Sequence, residues 1–281
     1  MIGSDGTDDA ALPNVVANDP PAIWRISAAS IAARLALSDV TIVTNGSISV
    51  EQSVATANAA CAAFRLRLQG ATSVSVQAVI DIPASLDIAA QDVFLLSAVS
   101  AKSLSVRGDT VNVAAALESY VDDLSLLGAS AITATASSDL RSAGQLLVNA
   151  SAAQVDTPTQ WLAAAGISVP RGAVTFTGSQ SVLLDADSDA AGAGLLSLGP
   201  VTITAAQVPT LTLLAADVQL SSSLALSSGG GGVVQLQCSA QPAAATLQLG
   251  GAARLPGSSL WLDAAELAAV VAGMATGAGG G

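Results

Sequence analysis

The sequence predicts an all-β fold, a parallel β-helix (β-solenoid), from three features. Short runs alternate apolar and polar residues along most of the chain, the runs recur at intervals of similar length, and the apolar residues are mostly aliphatic. Alternation with a period of two residues is typical of strands that bury one face. Recurrence at a fixed interval is typical of a solenoid, in which each coil stacks on its neighbours.

The alternating runs extend from about Val40 to Ala264 and are closed by small residues. Successive runs begin about 7 to 13 residues apart, and every second run falls roughly 16 to 21 residues after its counterpart, as from Ser85 to Ser103. That interval fits one coil with two or three short strands. Representative runs are Val40–Thr44, Ser47–Val50, Phe64–Leu68, Ser73–Val76, Ser85–Ala90, Ser103–Gly108, Thr110–Ala115, Val201–Ala206, Thr210–Ala215 and Val233–Cys238.

The composition favours a narrow core. Of the 281 residues, 51% are hydrophobic but only 2% are aromatic. A compact globule of this length ordinarily fills its centre with aromatic side chains, each of which buries ~150–250 Å². A core of medium-sized aliphatic side chains suits a solenoid with a small cross-section better than a thick globule.

An antiparallel sandwich or barrel is the alternative fold. It would require tight hairpin turns, for which Asn-Gly and Asp-Gly are the strongest sequence signals. Between the predicted strands only Asn45-Gly46 has this signature, and most other breaks are small residues such as Ala-Ala or Ser-Ala. Such breaks favour the corners of a solenoid, where consecutive strands turn away from each other without pairing.

Three segments depart from the two-residue period and predict short helices. Ser27–Leu37 has helical spacing with Ser27 as N-cap, Thr157–Gly166 starts with Thr-Pro and ends on glycine, and Asp263–Gly273 has a capping-box pattern. We expect the first and third segments to cover the ends or edges of the solenoid, since an open end exposes unpaired backbone groups. The middle segment is expected to be an excursion between two blocks of coils.

Each tryptophan lies in or just before one of these three segments. We therefore expect Trp24, Trp161 and Trp261 to be packing anchors beside helices rather than ligand platforms. The predicted organisation is an acidic, proline-containing linker over 1–22, the β-helix domain over 23–273 and a glycine-rich tail over 274–281.

The charge balance and residue types exclude several classes of function. The chain has 21 acidic and 9 basic residues, a formal charge of −12 and no histidine. This excludes histidine-based catalysis and histidine metal sites, and it argues against nucleic-acid binding because a polyanion would be repelled. No continuous apolar stretch reaches the ~18–20 residues of a membrane-spanning helix. Cys61 and Cys238 cannot form a zinc site alone, and we expect buried, unbridged thiols.

The candidate metal ligands are Asp185, Asp187 and Asp189. Carboxylates at alternate positions resemble the start of a calcium loop, in which they gather around a hard cation. The glycine that should follow is absent, and Leu196 stands where the closing glutamate would be. A calcium site and an acidic solvent loop therefore both remain open, and no other cofactor is expected.

Paired carboxylates could also indicate an enzyme of sugar polymers, since many such enzymes are β-helices. The pairs are Asp81 with Asp87 and Asp122 with Asp123. We expect them in turns or on outward strand positions, with no aromatic row to hold a sugar, and Lys102 is the only lysine. Outward charges that keep the molecule soluble are the favoured interpretation.

The opening block resembles a known repeat. Ser27–Val50 reads SAASIAARLALSDVTIVTNGSISV, which looks like the repeated phrase of filamentous-haemagglutinin-type surface proteins, and Ser259–Ala269 (SLWLDAAELAA) is similar to a later phrase of the same proteins. The resemblance implies a right-handed parallel β-helix in a secreted or surface-anchored bacterial protein. Such proteins act as adhesive or structural rods.

The expected function is therefore that of a non-enzymatic, extracellular structural or adhesive module, part of a larger surface protein. It would associate with itself into a rod, fibre or surface layer. One alternative is an adhesin module that binds a surface glycan or a host protein. The other is a polysaccharide lyase or hydrolase.

Overall fold

The computed structural model forms a parallel β-solenoid. It describes residues 2–3, 14–17, 26–135, 138–206, 208–220, 225–227, 233–239, 247–249 and 260–262. Every strand pairing among these residues is parallel, so the antiparallel alternative is wrong. In the described part of the chain no helix has the length and apolar character needed to cross a bilayer.

The strands are short except for three that run around a corner. In chain order they are β1 (Ile2–Gly3), β2 (Asn14–Ala17), β3 (Ile26–Ser27), β4 (Val40–Thr44), β5 (Ser47–Val50), β6 (Val54–Ala55), β7 (Arg65–Gly70), β8 (Ser73–Val76), β9 (Ile80–Ile82), β10 (Ser85–Ala89), β11 (Asp92–Leu95), β12 (Val99–Ala101), β13 (Leu104–Val113), β14 (Leu117–Ser119), β15 (Leu124–Ala134), β16 (Leu140–Ser142), β17 (Gln145–Asp156), β18 (Thr159–Ala163), β19 (Gly166–Val169), β20 (Gly172–Thr177), β21 (Val182–Asp185), β22 (Leu195–Leu198), β23 (Val201–Ala206), β24 (Thr210–Ala215), β25 (Asp217–Leu220), β26 (Ala225–Ser227), β27 (Val233–Cys238), β28 (Leu247–Leu249) and β29 (Leu260–Leu262).

Each coil contributes to three faces. Face A holds β4, β7, β10, the first halves of β13, β15 and β17, and then β19, β22 and β25. Face B holds β5, β8, β11, the second halves of the same long strands, and then β20, β23 and β26. Face C is a nine-stranded sheet of β6, β9, β12, β14, β16, β18, β21, β24 and β27.

Register places the same kind of side chain above itself in coil after coil. The first inward position of face A is always Val, Leu or Ile, and each of these side chains is buried. They are Val40, Leu66, Leu86, Leu104, Leu124, Leu146, Ile167, Leu196 and Val218. Each coil thus buries its aliphatic residues against the coils on both sides, which gives the narrow core that the composition predicts.

The coil length varies more than the sequence predicts. Partners on face A are 18 residues apart from Leu86 to Leu104 but 29 apart from Ile167 to Leu196. The longest coil contains the loop between β21 and β22, over 186–194. The coil from Val40 to Leu66 carries a 3₁₀ helix, Ala59–Ala63, between β6 and β7. These insertions leave the stacked strands in register.

The corner between faces A and B requires small residues. Gly108 and Gly128 are register partners there, and the strand register shifts just after each of them. A Cβ atom on Gly128 would lie 2.7 Å from the carbonyl oxygen of Ala131 and 2.9 Å from the side chain of Ile132. The tight bend therefore leaves no space for a side chain at this position.

We expect Gly128→Ala to lower the free energy of unfolding by about 1–3 kcal/mol, the usual cost of forcing an atom into a packed site. The control is Gly46→Ala, because the nearest heavy atom to a Cβ there is 3.8 Å away. Urea unfolding of both variants measures the difference. Equal stability of the two variants would contradict the steric argument.

The first predicted helix is confirmed. Helix α1 spans Ala28–Leu35, and the side chain of Ser27 accepts a hydrogen bond from the backbone N–H of Ser30 at 3.0 Å as the N-cap. Ile31 and Leu35, one turn apart, are fully buried. The helix contacts β3, β4 and β6, so it packs against the first coils.

The second predicted helix is wrong. The segment Thr157–Gly166 contains β18, and Gly166 begins β19. Alternate residues of β18 point inward, and Trp161 lies in the face C register between Leu140 and Leu184. The alanine-rich sequence looks helical, but the strand ladder on both sides and burial of the indole outweigh local propensity.

Trp161 is therefore a core residue of the solenoid and not an anchor beside a helix. It is 1% exposed and packs edge-to-face on Phe176, with ring centroids 5.5 Å apart. Its Nε1–H has no hydrogen-bond partner among the described residues.

We expect Trp161→Ala to lower the free energy of unfolding by about 3–5 kcal/mol, because it leaves a large cavity beside Phe176. Trp161→Phe should cost clearly less, since it keeps an aromatic ring and removes the unpaired donor. Thermal and denaturant unfolding of both variants provide the test. A Phe variant as unstable as the Ala variant would contradict this account.

Parts of the predicted organisation lie outside the described residues. These include the third helical segment, 263–273, the glycine-rich tail, 274–281, and Trp24. Trp261 lies in β29, which pairs in parallel with β28. Within the predicted linker, 1–22, β2 pairs with β4, and β1 pairs with β3 and β5.

Candidate functional site

The three aspartates of the predicted calcium loop occupy different environments. Asp185 ends β21 and is half-buried, Asp187 is 2% exposed, and Asp189 is exposed on the following turn. They begin the loop that lengthens the coil between β21 and β22.

Asp187 accepts hydrogen bonds from several backbone donors in its own loop. Its two carboxylate oxygens lie 3.0–3.4 Å from the N–H groups of Gly192, Ala193 and Gly194. Successive amides around one anion form a concave cradle that stabilises negative charge. The loop therefore folds around this carboxylate.

A further contact extends this cluster to the end of β27. The hydroxyl of Ser239, the residue after β27, donates to Asp187 Oδ2 at 2.5 Å. Since β24 lies between β21 and β27 on face C, the bond spans two coil steps.

Burial by itself raises the pKa of Asp187. The hydrogen bonds from Ser239, Gly192, Gly194 and Ala193 outweigh this effect, so the pKa of Asp187 lies below its usual value.

The neighbouring carboxylates make separate local contacts. Asp185 Oδ1 accepts from the N–H of Asp187 at 3.0 Å, and Asp189 Oδ1 accepts from the N–H of Ala191 at 3.1 Å. Burial raises the pKa of Asp185, and the charges of Asp187 and Asp189 raise it further, against the lowering effect of the backbone hydrogen bond.

The three carboxylates do not form one cage. Within the described ranges, no three or more acidic or cysteine side chains are arranged to hold a metal ion. Amide hydrogens that point at the Asp187 oxygens occupy the positions from which a cation would approach. Calcium binding at Asp185, Asp187 and Asp189 stays a prediction, and the structure gives Asp187 a role in holding the loop.

We expect Asp187→Asn to destabilise the protein at pH 7 by about 1.5–3 kcal/mol, because charge-assisted hydrogen bonds are lost. The pKa of Asp187 is lowered by folding, so its stabilisation is present above the usual aspartate pKa and is lost as the pH falls through the lower, folded value. Below about pH 4 the wild type should therefore approach the variant in stability.

Urea unfolding at pH 7 and at pH 3 measures this effect. Asp189→Asn is the matched control, because Asp189 is exposed and accepts one backbone hydrogen bond. A control as unstable as Asp187→Asn, or an Asp187→Asn deficit that stays constant between the two pH values, would contradict the assignment.

The other candidate carboxylates are not brought together as catalytic pairs. Asp81 faces outward from β9 on face C, whereas Asp87 faces outward from β10 on face A and lies 3.4 Å from Arg65. Asp123 Oδ1 accepts from the N–H of Gln145 at 2.7 Å, which links two coils. These positions agree with the interpretation as outward or turn charges.

The corner between faces C and A contains a serine pair that the sequence does not reveal. Ser119 and Ser142 are buried register partners, and the hydroxyl of each lies within hydrogen-bond distance of the Asp122 carbonyl oxygen. In the sequence, a serine at an inward position of an apolar pattern does not indicate a paired site. Only the register between β14 and β16 shows that the two serines are neighbours. They satisfy backbone groups at the bend and show no reactive geometry.

Both cysteines are free thiols. Cys61 is buried in the 3₁₀ helix, with Sγ 4.0 Å from the carbonyl oxygen of Ala32 in α1, and Cys238 is half-buried at the end of β27. The Nζ of Lys102 donates to the carbonyl oxygen of Ala62, the residue after Cys61, at 3.2 Å.

The surface of the described residues includes two shallow grooves. One, of about 450 Å³ on face C, is lined by Ala55, Thr56, Ala57, Asp81, Pro83 and Tyr120. Its single aromatic residue, Tyr120, donates to the carbonyl oxygen of Ile82 at 3.2 Å, and burial followed by the nearby charge of Asp81 raises its pKa. The other groove, of about 360 Å³, lies at the corner between faces A and B and contains Arg107 and Arg171.

Comparison of this chain with protein-family models, with curated proteins and with solved structures gives no match. The resemblance of Ser27–Val50 to filamentous-haemagglutinin-type repeats therefore stays a prediction. The strand pairings alone support the assignment of the solenoid fold.

Proposed function

We propose that the chain is a non-enzymatic structural module of an extracellular surface protein, and that it associates laterally with copies of itself through face B. The proposal depends on one feature of the outward residues of this face. From β13 to β23 two neighbouring outward rows of this face hold no charged residue, and the row beside them contains Asp156 at the end of β17. The residues of the two uncharged rows are Thr110, Asn112, Ala131, Thr133, Ala152, Gln154, Ala173, Thr175, Thr202 and Thr204.

On face B, Asp92 of β11 and Asp156 of β17 flank these two uncharged rows, and further charged residues lie on the other faces. One outward row of face C contains Asp81, Glu118, Arg141 and Asp185 on successive or nearby strands. Bringing charges out of water costs far more than bringing short uncharged side chains out of water. Face B is therefore the surface of this acidic molecule that a second copy approaches at the lowest dehydration cost.

The shape of face B also supports stacking. Parallel strands in register give a regular surface, and short Thr and Ala side chains lose little rotamer freedom on contact. Hydroxyl groups in the outer rows can bond along the face, as Ser73 does to Ser47 at 2.8 Å. A second flat face can pack against such a surface over several coils.

The absence of an enzymatic role is part of the same proposal. Asp81 and Asp87 lie on different faces, and Asp187 is occupied by backbone donors. The extracellular setting rests on the resemblance of Ser27–Val50 to surface-protein repeats.

We expect concentration-dependent lateral association of the purified protein, visible by sedimentation velocity and by negative-stain electron microscopy. Thr133→Arg with Thr175→Arg should weaken it, because the two cations would be dehydrated on face B. The matched control is Ser125→Arg with Ser168→Arg, which adds the same charges to half-buried outward positions of the same two coils on face A.

Isolated monomers at every concentration, with and without calcium, would overturn the proposal of assembly. Equal loss of association in both double variants would show that face B is not the contact surface.

A further inference from the structure

The groove at the corner between faces A and B is lined by residues of five successive coils, beginning with Ala90 between β10 and β11. Its walls come from β13, β15 and β17, and Arg171 enters from the turn between β19 and β20. Four of the nine lining residues are Gly or Ala, which keeps the floor of the groove open. They are Ala90, Gly108, Gly128 and Ala129, with the larger Arg107, Asp109, Leu127, Asn149 and Arg171.

Register fixes the spacing of the larger side chains. Arg107, Leu127 and Asn149 occupy one outward row on three consecutive strands. Because neighbouring strands are about 4.8 Å apart, the backbones of Arg107 and Asn149 lie about 10 Å apart. Arg171 Nε donates to Asn149 Oδ1 at 2.9 Å, which holds the second guanidinium at the Asn149 end of the row.

Neither arginine of the groove forms an ion pair among the described residues, although Asp109 lines the same groove. Arg65 lies 3.4 Å from Asp87 and Arg141 lies 3.5 Å from Asp139, but among the described residues neither Arg107 nor Arg171 has a carboxylate within 4.0 Å. The chain has only 9 basic residues against 21 acidic ones. Two guanidinium groups against the one carboxylate of Asp109 thus give this groove a local positive charge, in contrast to the negative charge of the molecule.

We propose that this groove binds a short acidic saccharide of uronic acid units. The carboxylates of the saccharide pair with Arg107 and Arg171, since a guanidinium presents a planar fork of donors that matches a carboxylate. The apolar face of a sugar ring lies over Leu127, and Asn149 and Asp109 offer polar groups to its hydroxyls.

The surrounding surface selects for a short ligand. The protein carries a formal charge of −12, so a long polyanion that extends beyond the groove meets repulsion. At physiological ionic strength that repulsion is screened beyond about 8 Å, so a ligand confined to the groove interacts mainly with the two arginines. This inference goes beyond the proposed assembly and does not depend on it, because the groove lies at a corner and the assembly contact lies on face B.

The test is isothermal titration calorimetry of the full chain with trigalacturonate, and with maltotriose as the neutral trisaccharide. We expect saturable binding of trigalacturonate and none of maltotriose. Arg107→Gln and Arg171→Gln should each weaken binding about tenfold, which is the loss expected for one charge-assisted hydrogen-bonded contact. The double variant should abolish measurable binding.

The matched control is Arg65→Gln with Arg141→Gln. It removes the same charge from two exposed arginines outside the groove, and it should leave trigalacturonate binding unchanged. Far-ultraviolet circular dichroism of all variants confirms that the strands are retained.

Absence of saturable trigalacturonate binding would overturn the inference, as would equal losses in the control variant. Equally strong binding of a triaspartate peptide would show that the groove recognises carboxylates without a sugar, and would also overturn it. Sedimentation velocity of the Arg107→Gln, Arg171→Gln variant separates this result from assembly, because loss of association there would assign the groove to contacts between copies.

Discussion

The fold depends on the vertical alignment of aliphatic side chains inside the solenoid. On face A the same inward position is filled by Val, Leu or Ile from Val40 to Val218. A slip of one residue in any coil would turn these side chains outward and bring polar ones inward. Alignment therefore fixes the register of each coil, while insertions such as the loop between β21 and β22 are confined to the corners.

Polar interactions act where the chain bends and the aliphatic stack cannot satisfy the backbone. The amide cradle around Asp187 holds the longest loop and ties it to the end of β27 through Ser239. At another corner Ser119 and Ser142 serve the same purpose. Gly128 lies at a bend so tight that no side chain fits there. These residues maintain the path of the coil.

Register also organises the outer surface, because outward residues form rows as regularly as inward ones. The rows give face C its mixed charges, leave much of face B without charge, and bring Arg107, Leu127 and Asn149 together at a corner. A surface of this kind is suited to contacts spread over several coils. The two proposals concern separate surfaces, a flat face for a second copy and a narrow cationic groove for a small acidic ligand.

The sequence by itself determined the strands and the class of fold, since two-residue alternation reports directly which side of a strand is buried. The runs Val40–Thr44 and Thr210–Ala215 have the same bounds in the structure, and α1 begins after its expected cap, Ser27. Only the tertiary structure decided what depends on neighbouring coils. Trp161 lies in an alanine-rich segment that looks helical but forms strand β18. The pattern at Asp185, Asp187 and Asp189 indicates a loop but not the amides around Asp187. The sequence does not indicate the arginine pair either, because Arg107 and Arg171 are 64 residues apart. Only the stacking of coils brings them to one groove.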